Sequence, residues 1–266
     1  EGDGRDMRLE LVSDVPEDFK SVALFDKEKD TLNYWHSPIR RDSLIFHIYK
    51  GQFLDTAIVR LRKKKMDSLS VTSAVRGTLE YLDTLYFGTN NPIIKIDNSR
   101  VVFIDKDTVQ IPYEPFISTT ESKIGFLFEK KYKKNYSFTM YPNAVEDIFN
   151  QTNDTVQLRF KTRSLEDYGD IKVSVQNPNA QNVIIQIINN QDKTIQQKLV
   201  NNTSIISFDY LKPETYRIRI IYDDNKNGKW DTGDFLKKKQ PERVEYFKEE
   251  QVVRSNWSLN AAITIK

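Results

Sequence analysis

Short apolar runs with a period of two recur along the whole chain. In the clearest example, Tyr216, Ile218 and Ile220 alternate with Arg217 and Arg219. Such alternation places one set of side chains on each face of a β-strand. The runs are rich in aromatic and β-branched residues, and Asp, Asn, Lys and Ser separate them. The pattern predicts an all-β chain with many turns and no long helix.

The spacing of these runs divides the chain into three predicted modules. Residues 1–71 hold five strand-length runs and predict a small β-sandwich. Residues 72–163 hold seven such runs in about ninety residues, which is the strand density of an Ig-like sandwich. A polar hinge near residues 164–169 opens the third module, residues 164–266. The predicted fold class is therefore all-β, with β-sandwich modules in tandem and no fixed repeat period.

One segment of the third module has the spacing of a calcium-binding loop. In an EF-hand loop of twelve positions, ligands come from alternate positions and from the last one, with glycine at the sixth. The corresponding residues here are Asp223, Asn225, Asn227, Lys229, Asp231 and Asp234, with Gly228 at the turn. A hard cation prefers about six to eight oxygen ligands, and a tight turn brings alternate side chains to one centre. The register predicts a Ca²⁺ site in which Lys229 contributes its backbone carbonyl.

The flanking sequence distinguishes this loop from an EF-hand. The residues before it alternate as a strand rather than as a helix, and Asp234 stands where glutamate is usual. The alternative interpretation is a hairpin rich in Asn, Asp and Gly whose side chains hydrogen-bond to their own backbone. A shift of the register by one residue would bring in Asp224. The ion would be structural in either register, because no catalytic group lies nearby in the sequence.

Charge and composition exclude several classes of function. The 266 residues include 40 basic and 38 acidic side chains, and the net charge of +2 gives no global attraction to nucleic acid or to an anionic membrane. The sequence contains no cysteine, which excludes disulfides, thiol catalysis and thiolate metal sites. It has no signal peptide and no apolar run of membrane-spanning length. Its start at Glu1, without an initiator methionine, predicts a processed protein or an excised fragment.

The sequence offers no recognisable catalytic constellation. Its two histidines, His36 and His47, lie in or beside strand-like runs and have no Ser, Asp or Cys partner at a familiar spacing. No phosphate-binding loop or dinucleotide fingerprint occurs. We therefore predict that the chain is not an enzyme and has no catalytic residues. A hydrolase that uses carboxylates on distant strands stays open, since such a pair leaves no local spacing.

Several motifs together resemble the C-terminal portion of the Bacteroidetes Ig-like-domain lipoproteins. The motifs are Asn-Asp-Thr at 153–155, Leu-Arg-Phe-Lys-Thr at 158–162, Leu-Glu-Asp-Tyr-Gly at 165–169, Phe-Asp-Tyr-Leu-Lys-Pro at 208–213, the loop from 224 to 238, Gln-Pro-Glu at 240–242 and Asn-Trp at 256–257. The resemblance covers most of the chain from about residue 30 onward. The third module is also similar to transthyretin-like and adhesin B-repeat sandwiches.

The resemblance implies a non-catalytic protein anchored to the outer membrane, on the periplasmic side or at the cell surface. Its members carry an N-terminal lipid anchor, which is absent from this chain and would be its only link to the membrane. Several of the transthyretin-like and B-repeat modules bind calcium in an Asp/Asn-rich loop. On this chain, that implies Ca²⁺ at Asp223, Asn225, Asn227, Asp231 and Asp234. The expected role is structural, scaffolding or assembly, through a protein partner in the cell envelope.

Aromatic residues leave one alternative, a module that binds a glycan or another surface ligand. The candidates are Tyr34, Trp35, Trp230 and Trp257. We expect Trp230 to pack inward from the loop and Trp257 to belong to a core strand. A platform of exposed, coplanar rings would favour glycan binding, whereas an apolar patch at the edge of a module would favour a protein partner.

Overall fold

The computed structural model describes residues 7–26, 31–62, 67–233 and 238–265. Within these ranges the chain forms β-strands and two short 3₁₀ turns but no α-helix. The predicted all-β fold class, with β-sandwiches in tandem, is confirmed. In the same ranges no helix has the length and hydropathy needed to cross a membrane.

The chain folds as two compact units, Glu1–Thr162 and Arg163–Lys266. We call them the N-terminal and C-terminal units. The division into three modules stays a prediction, and its boundary at residue 71 falls within the N-terminal unit.

The N-terminal unit contains fifteen of the described strands. They are β1 (Arg8–Leu11), β2 (Ser21–Asp26), β3 (Thr31–His36), β4 (Ser43–Lys50), β5 (Phe53–Arg60), β6 (Val71–Ser73), β7 (Thr78–Leu79), β8 (Leu85–Thr89), β9 (Ile93–Ile96), β10 (Val101–Asp105), β11 (Tyr113–Ile117), β12 (Lys123–Phe128), β13 (Asn135–Met140), β14 (Val145–Asp147) and β15 (Val156–Thr162). Two four-stranded sheets, β10-β13-β15-β7 and β11-β12-β8-β6, form its main sandwich, and β9 pairs with β14. All neighbours are antiparallel except β7 and β15.

Aromatic rings fill the space between these two sheets. On β13, alternate side chains turn inward, and Phe138 lies at the centre of the cluster with 0% of its surface exposed. Its ring centroid is 4.6 Å from that of Phe126 on the opposite sheet and 5.3 Å from that of Phe103. Large rings at inward positions of both sheets supply the buried apolar area that holds a sandwich together.

The first five strands form smaller sheets within the same unit. β1, β4 and β5 make an antiparallel sheet with β5 at its edge, and β2 pairs with β3 as a hairpin. The ring of Tyr34 meets that of Phe46 edge-on, with centroids 4.9 Å apart, which joins the hairpin to the sheet. Leu24 and Leu44 are buried beside them. The ammonium of Lys20 donates to the amide oxygen of Asn150 at 2.8 Å, so this region also contacts the chain that follows β14.

The C-terminal unit contains eight described strands in two sheets. They are β16 (Gly169–Gln176), β17 (Val183–Ile188), β18 (Thr194–Val200), β19 (Ser204–Leu211), β20 (Thr215–Tyr222), β21 (Val244–Tyr246), β22 (Gln251–Val252) and β23 (Ser258–Thr264). One sheet has the order β19-β16-β23 and the other β18-β17-β20-β21, with β22 also paired to β20. β16 and β23 run parallel.

Aliphatic side chains rather than rings dominate the core of this unit. All six residues of β17 are buried, since β18 and β20 cover both of its edges and the other sheet packs nearby. The one polar member, Gln186, accepts from the Arg219 Nε at 2.7 Å and donates to Gln197 at 2.9 Å. On β20, Tyr216 and Ile218 turn inward as predicted, and this strand leads directly into the predicted calcium loop.

Candidate functional site

The predicted calcium loop begins where β20 ends, at Asp223. The strand holds its start in place, because the Asp223 N–H donates to the carbonyl of Asn182 at 2.9 Å. The chain then reverses direction through Lys226 and Gly228, whose φ angles are 62° and 73°. Glycine adopts this left-handed region without steric cost, which is the turn expected at the sixth position. The sequence therefore gives a tight loop in which alternate side chains turn inward.

Asp223 organises the first half of the loop. Its two carboxylate oxygens accept from the backbone N–H groups of Asn227 at 3.0 Å and Gly228 at 2.9 Å. Only 3% of its surface is exposed, so the charge is held in the interior of the loop. The two backbone N–H groups thus satisfy both oxygens of the buried carboxylate. The same bonds match the alternative interpretation, in which loop side chains cap their own backbone.

Two asparagines converge on Asp231. The side-chain amides of Asn225 and Asn227 both donate to the same Asp231 oxygen, the latter at 2.6 Å. Their amide oxygens face the backbone instead: that of Asn225 accepts from Asn227 N–H at 3.0 Å, and that of Asn227 from Lys229 N–H at 2.8 Å. The structure thus brings the third, fifth and ninth positions of the predicted loop to one point.

Glu242, which sequence reasoning missed, lies after the loop, in residues 238–242, which we call the returning chain. Its hydrogen bonds join the returning chain to the loop. Its carboxylate accepts from the N–H of Asp224 at 3.1 Å and from the N–H of Asp231 at 3.0 Å. Its own N–H donates to the carbonyl of Asp231 at 3.1 Å, and its carbonyl accepts from the Trp230 indole at 3.1 Å. Only 5% of Glu242 is exposed. The residue follows Asp231 by eleven positions, and no local spacing marks it as part of the loop.

The returning chain packs closely against Gly233, near the end of the loop. A Cβ atom built there would stand 2.8 Å from the carbonyl oxygen of Lys239 and 3.1 Å from the ring of Pro241. Any larger residue would therefore push Pro241 and its neighbour Glu242 away. This close approach requires glycine, because a side chain has no room there.

In the described part of the chain, the buried carboxylates of the loop are held by hydrogen bonds rather than by ion pairs. Among the described residues, no salt bridge involves Asp223, Asp231 or Glu242. Within the same ranges, no three His, Cys, Asp or Glu side chains form a metal-binding group. Of the predicted ligands, Asp234 lies outside the described residues, and Asp224 is exposed with no side-chain role in the loop. The predicted donors that remain are the carboxylates of Asp223 and Asp231, the amides of the two asparagines and the backbone carbonyl of Lys229.

The histidines occupy the N-terminal unit and contact aromatic residues. The His36 ring lies 6.0 Å from that of Phe19, and its Nδ1 is 2.9 Å from the carbonyl of Ser37. The Nδ1 of His47 is 3.4 Å from the hydroxyl of Tyr49. That hydroxyl donates to Glu10 at 2.7 Å, and this hydrogen bond raises the pKa of Tyr49. Both histidines are thus placed by their strand neighbours and by ring packing.

The two C-terminal tryptophans are more exposed than the sequence predicts. Trp257 is 55% exposed, so its assignment to a core strand is wrong. Asn256 has a φ of 57°, which turns the chain just before β23 begins and leaves Trp257 outside the strand. Trp230 is 44% exposed, because its indole N–H reaches the carbonyl of Glu242 and holds the ring at the surface.

A cleft of about 630 Å³ opens at one end of the N-terminal sandwich. Tyr113, Phe128 and Tyr136 line it, and burial raises the pKa of both tyrosine hydroxyls. Tyr136 stacks on Phe160 with centroids 5.3 Å apart and is 4% exposed. These rings therefore pack into the core rather than presenting a flat platform at the surface.

Comparison with known proteins gives distant structural likenesses. No protein-family model and no curated protein matches the sequence. The similar solved structures include native alpha-2-macroglobulin from Escherichia coli, spanning domains MG0-NIE-MG1, with a TM-score of 0.33 and 10% identity over 61% of this chain and 81% of that one. The BcpA major pilin subunit of Bacillus cereus has a TM-score of 0.27 and 8% identity over 92% and 93%. The Bacillus anthracis TIE protein has a TM-score of 0.24 and 10% identity over 76% and 41%. Similarity at this level assigns neither a family nor a function.

Proposed function

We propose that this chain is a non-catalytic structural segment of a cell-envelope lipoprotein, and that one Ca²⁺ held by the loop of residues 223–234 stabilises its C-terminal unit. The observation that carries the proposal is the convergence of Asn225, Asn227 and Asp231 on one point. Those residues stand at the alternate positions that supply oxygen ligands in calcium loops. The loop connects β20 to the returning chain, so an ion there ties together two segments of the sandwich.

The charge of the loop supports a cation. Asp223 and Glu242 are almost fully buried, and neither has a basic partner in the described part of the chain. Removing an ionised carboxylate from water is costly unless charge or hydrogen bonds compensate it. Backbone N–H groups supply the hydrogen bonds here, and a divalent cation beside Asp231 would supply the missing positive charge.

The arrangement of the amides supports a position for the ion beside Asp231. The –NH₂ groups of Asn225 and Asn227 now surround one oxygen of Asp231 and present partial positive charge to it. Turning either amide about its last side-chain bond exchanges nitrogen for oxygen, the ligand that Ca²⁺ prefers, and gives up the hydrogen bond that its oxygen accepts from the backbone. Asp234, at the twelfth position, would add a further carboxylate oxygen. The ion supplies no chemistry beyond this coordination, because the role proposed for it is structural.

The wider role in the envelope rests on the sequence motifs shared with Ig-like-domain lipoproteins. These motifs favour a protein anchored to the outer membrane through an N-terminal lipid outside this chain. A scaffolding or assembly role would then use contacts with protein partners. The positions of His36 and His47 support a non-catalytic role, since each is placed by ring and strand neighbours rather than beside a nucleophile.

A second candidate function is binding of a glycan or another surface ligand by the C-terminal unit. The observation that favours it is the exposure of Trp230 and Trp257, since aromatic faces at the surface stack on sugar rings. Affinity electrophoresis in polysaccharide gels tests it. Slower migration that Trp257→Ala abolishes would support it, and unchanged migration of the original chain would reject it.

Terbium luminescence tests the calcium site directly. Tb³⁺ takes the same oxygen ligands as Ca²⁺, and Trp230 within the loop would sensitise its emission. We expect emission on tryptophan excitation that Ca²⁺ competes away, that Asp231→Ala removes and that Trp230→Phe weakens. Asp154→Ala, which changes an exposed carboxylate of the N-terminal unit, should leave the signal unchanged. Emission that is absent, or that survives Asp231→Ala, would reject the site.

A further inference from the structure

β5 exposes apolar side chains on both of its faces. Seven of its eight residues are exposed, including Phe53 (62%), Leu54 (54%), Ile58 (67%) and Val59 (47%). β5 is also the edge strand of its sheet, since within the described residues it pairs with β4 and with no other strand. Natural edge strands are usually short, charged or covered, because a bare apolar edge attracts another strand. β5 extends over eight residues, and its open edge is available for pairing with another strand.

The backbone of β5 shows which residues face the open edge. Leu61 N–H donates to the carbonyl of Asp42 at 2.8 Å, so the odd-numbered positions direct their N–H and C=O groups toward β4. The even-numbered positions, Leu54, Thr56 and Ile58, direct theirs outward. In agreement, the Thr56 N–H is not bonded to β4 and donates instead to the side chain of Asp55 at 2.7 Å.

We propose that this edge pairs antiparallel with β5 of a second copy of the chain, about a two-fold axis at Thr56. That register places the outward backbone groups of Thr56 opposite those of the other Thr56, and Leu54 opposite Ile58. On the other face, Phe53 lies opposite Val59 and Asp55 opposite Ala57. Each apolar pair occurs twice by symmetry, and within β5 no two like charges oppose one another.

Neighbouring registers lose this complementarity. A two-fold axis at Asp55 would place the two Asp55 carboxylates opposite one another, and an axis at Ala57 would place Leu54 opposite Arg60 and Asp55 opposite Val59. These are the next allowed axes, because both still pair the even-numbered positions, whose backbone groups face outward, with one another. The apolar side chains of β5 therefore match best in the register centred on Thr56, which favours a second copy over an unrelated strand. The paired sheets would run continuously as β1-β4-β5-β5-β4-β1.

Asp55 limits the strength of this pairing. In the single chain its carboxylate accepts a hydrogen bond from the N–H of Thr56, which is the central donor of the proposed interface. Pairing must release that N–H, so the carboxylate competes with the second copy. An acidic residue on an edge strand is a common guard against uncontrolled association. We therefore infer a reversible dimer that loss of Asp55 strengthens.

Sedimentation equilibrium of the full chain tests the surface. We expect a reversible dimer whose association constant falls about tenfold or more in Ile58→Lys and rises in Asp55→Ala. The matched control is Ile205→Lys on β19, where another exposed isoleucine (75%) lies in the C-terminal unit, and it should not change association. A chain that stays monomeric to about 1 mM overturns the proposal and leaves β5 to a strand from another protein. Equal losses in both lysine variants overturn it as well.

Disulfide crosslinking tests the register. The chain has no cysteine, so a single Thr56→Cys substitution gives one thiol per copy. Across a hydrogen-bonded antiparallel pair the two Cα atoms lie about 5.5 Å apart, which a disulfide can span. Thr56→Cys should therefore oxidise to a covalent dimer much faster than Leu54→Cys, whose partner is Ile58. Equal rates overturn the two-fold axis at Thr56.

This inference names a contact for the proposed structural role and rests on that role for its biological meaning. Its residues lie in the N-terminal unit, whereas the calcium loop lies in the C-terminal unit. Measuring association with excess Ca²⁺ and with chelator separates the two. Association that is equal under both conditions, together with no terbium signal, would reject the calcium site while retaining the dimer.

Discussion

Two regions of this molecule depart from the usual distribution of side chains in opposite directions. The loop after β20 buries two carboxylates, Asp223 and Glu242, with 3% and 5% of their surfaces exposed. Strand β5 exposes Leu54 and Ile58 by 54% and 67%. Buried charge and exposed apolar surface are the two observations that carry information about function, because ordinary folding explains neither.

The loop and β5 differ in the kind of contact that each of them lacks. The carboxylates of the loop accept hydrogen bonds from backbone N–H groups but have no cation beside them in the described residues, whereas β5 pairs with β4 on its inner edge but leaves its apolar side chains exposed. We propose an ion for the loop and a protein strand for β5. Substitutions should therefore affect folding stability strongly in the loop and weakly on β5, while their effects on association should be reversed.

The largest expected effect is that of Asp223→Ala. It leaves the N–H of Gly228 without its acceptor, takes one of two acceptors from the N–H of Asn227, and removes a buried side chain that is also a proposed ligand. We expect a loss of about 3 kcal/mol in the free energy of unfolding of the C-terminal unit, measured with urea. The matched control is Asp224→Ala, whose side chain is exposed and should cost less than about 0.5 kcal/mol. Equal losses of unfolding free energy in the two variants would contradict the register that begins at Asp223. They would favour the register shifted by one residue, which begins at Asp224.

A smaller loss is expected for Glu242→Gln. A glutamine has one acceptor oxygen, so either the N–H of Asp224 or that of Asp231 would face an amide nitrogen. The N–H of Asp224 keeps the carbonyl of Tyr222 as a second acceptor at 3.2 Å, so we expect a loss of about 1 kcal/mol. Guanidinium unfolding followed by tryptophan fluorescence measures it, with the exposed Glu250→Gln as control. An unchanged midpoint would show that Glu242 does not hold the loop.

The smallest expected effect on folding is that of Ile58→Ala. Because the side chain is largely exposed, we expect a change below about 0.5 kcal/mol in urea unfolding of dilute, monomeric protein. Ile185→Ala on the fully buried β17 should cost about 3 kcal/mol by the same measurement. A large loss at Ile58 would mean that β5 is covered within its own chain, and the comparison drawn here would fail.

Much of the fold is predictable from this sequence because its information is local. Alternation along β20 specifies which side chains turn inward, and the positions of Asn225, Asn227 and Asp231 specify a loop in which those three side chains gather. Both signals lie within a few consecutive residues. Turn and strand geometry convert them into structure with little help from the rest of the chain.

The remaining features depend on contacts distant in sequence. β5 and β17 are both apolar runs, yet one is an exposed edge and the other a buried centre, because strand order decides burial. Glu242 reaches the loop only because the chain returns past Gly233. Trp257 is exposed because Asn256 adopts a left-handed conformation. Asparagine tolerates this conformation, but the residue type alone does not predict it. None of these follows from a local pattern.

The most direct test of the account is thermal unfolding of the full chain at increasing Ca²⁺. The chain has three tryptophans, and Trp35→Phe would leave the two of the C-terminal unit as its reporters. An ion that binds only the folded state stabilises it by about 2.7 kcal/mol at a hundred times its dissociation constant. We predict that the midpoint rises with Ca²⁺, falls with chelator and does not respond to either in Asp223→Ala. A midpoint that is the same with Ca²⁺ and with chelator would contradict the account.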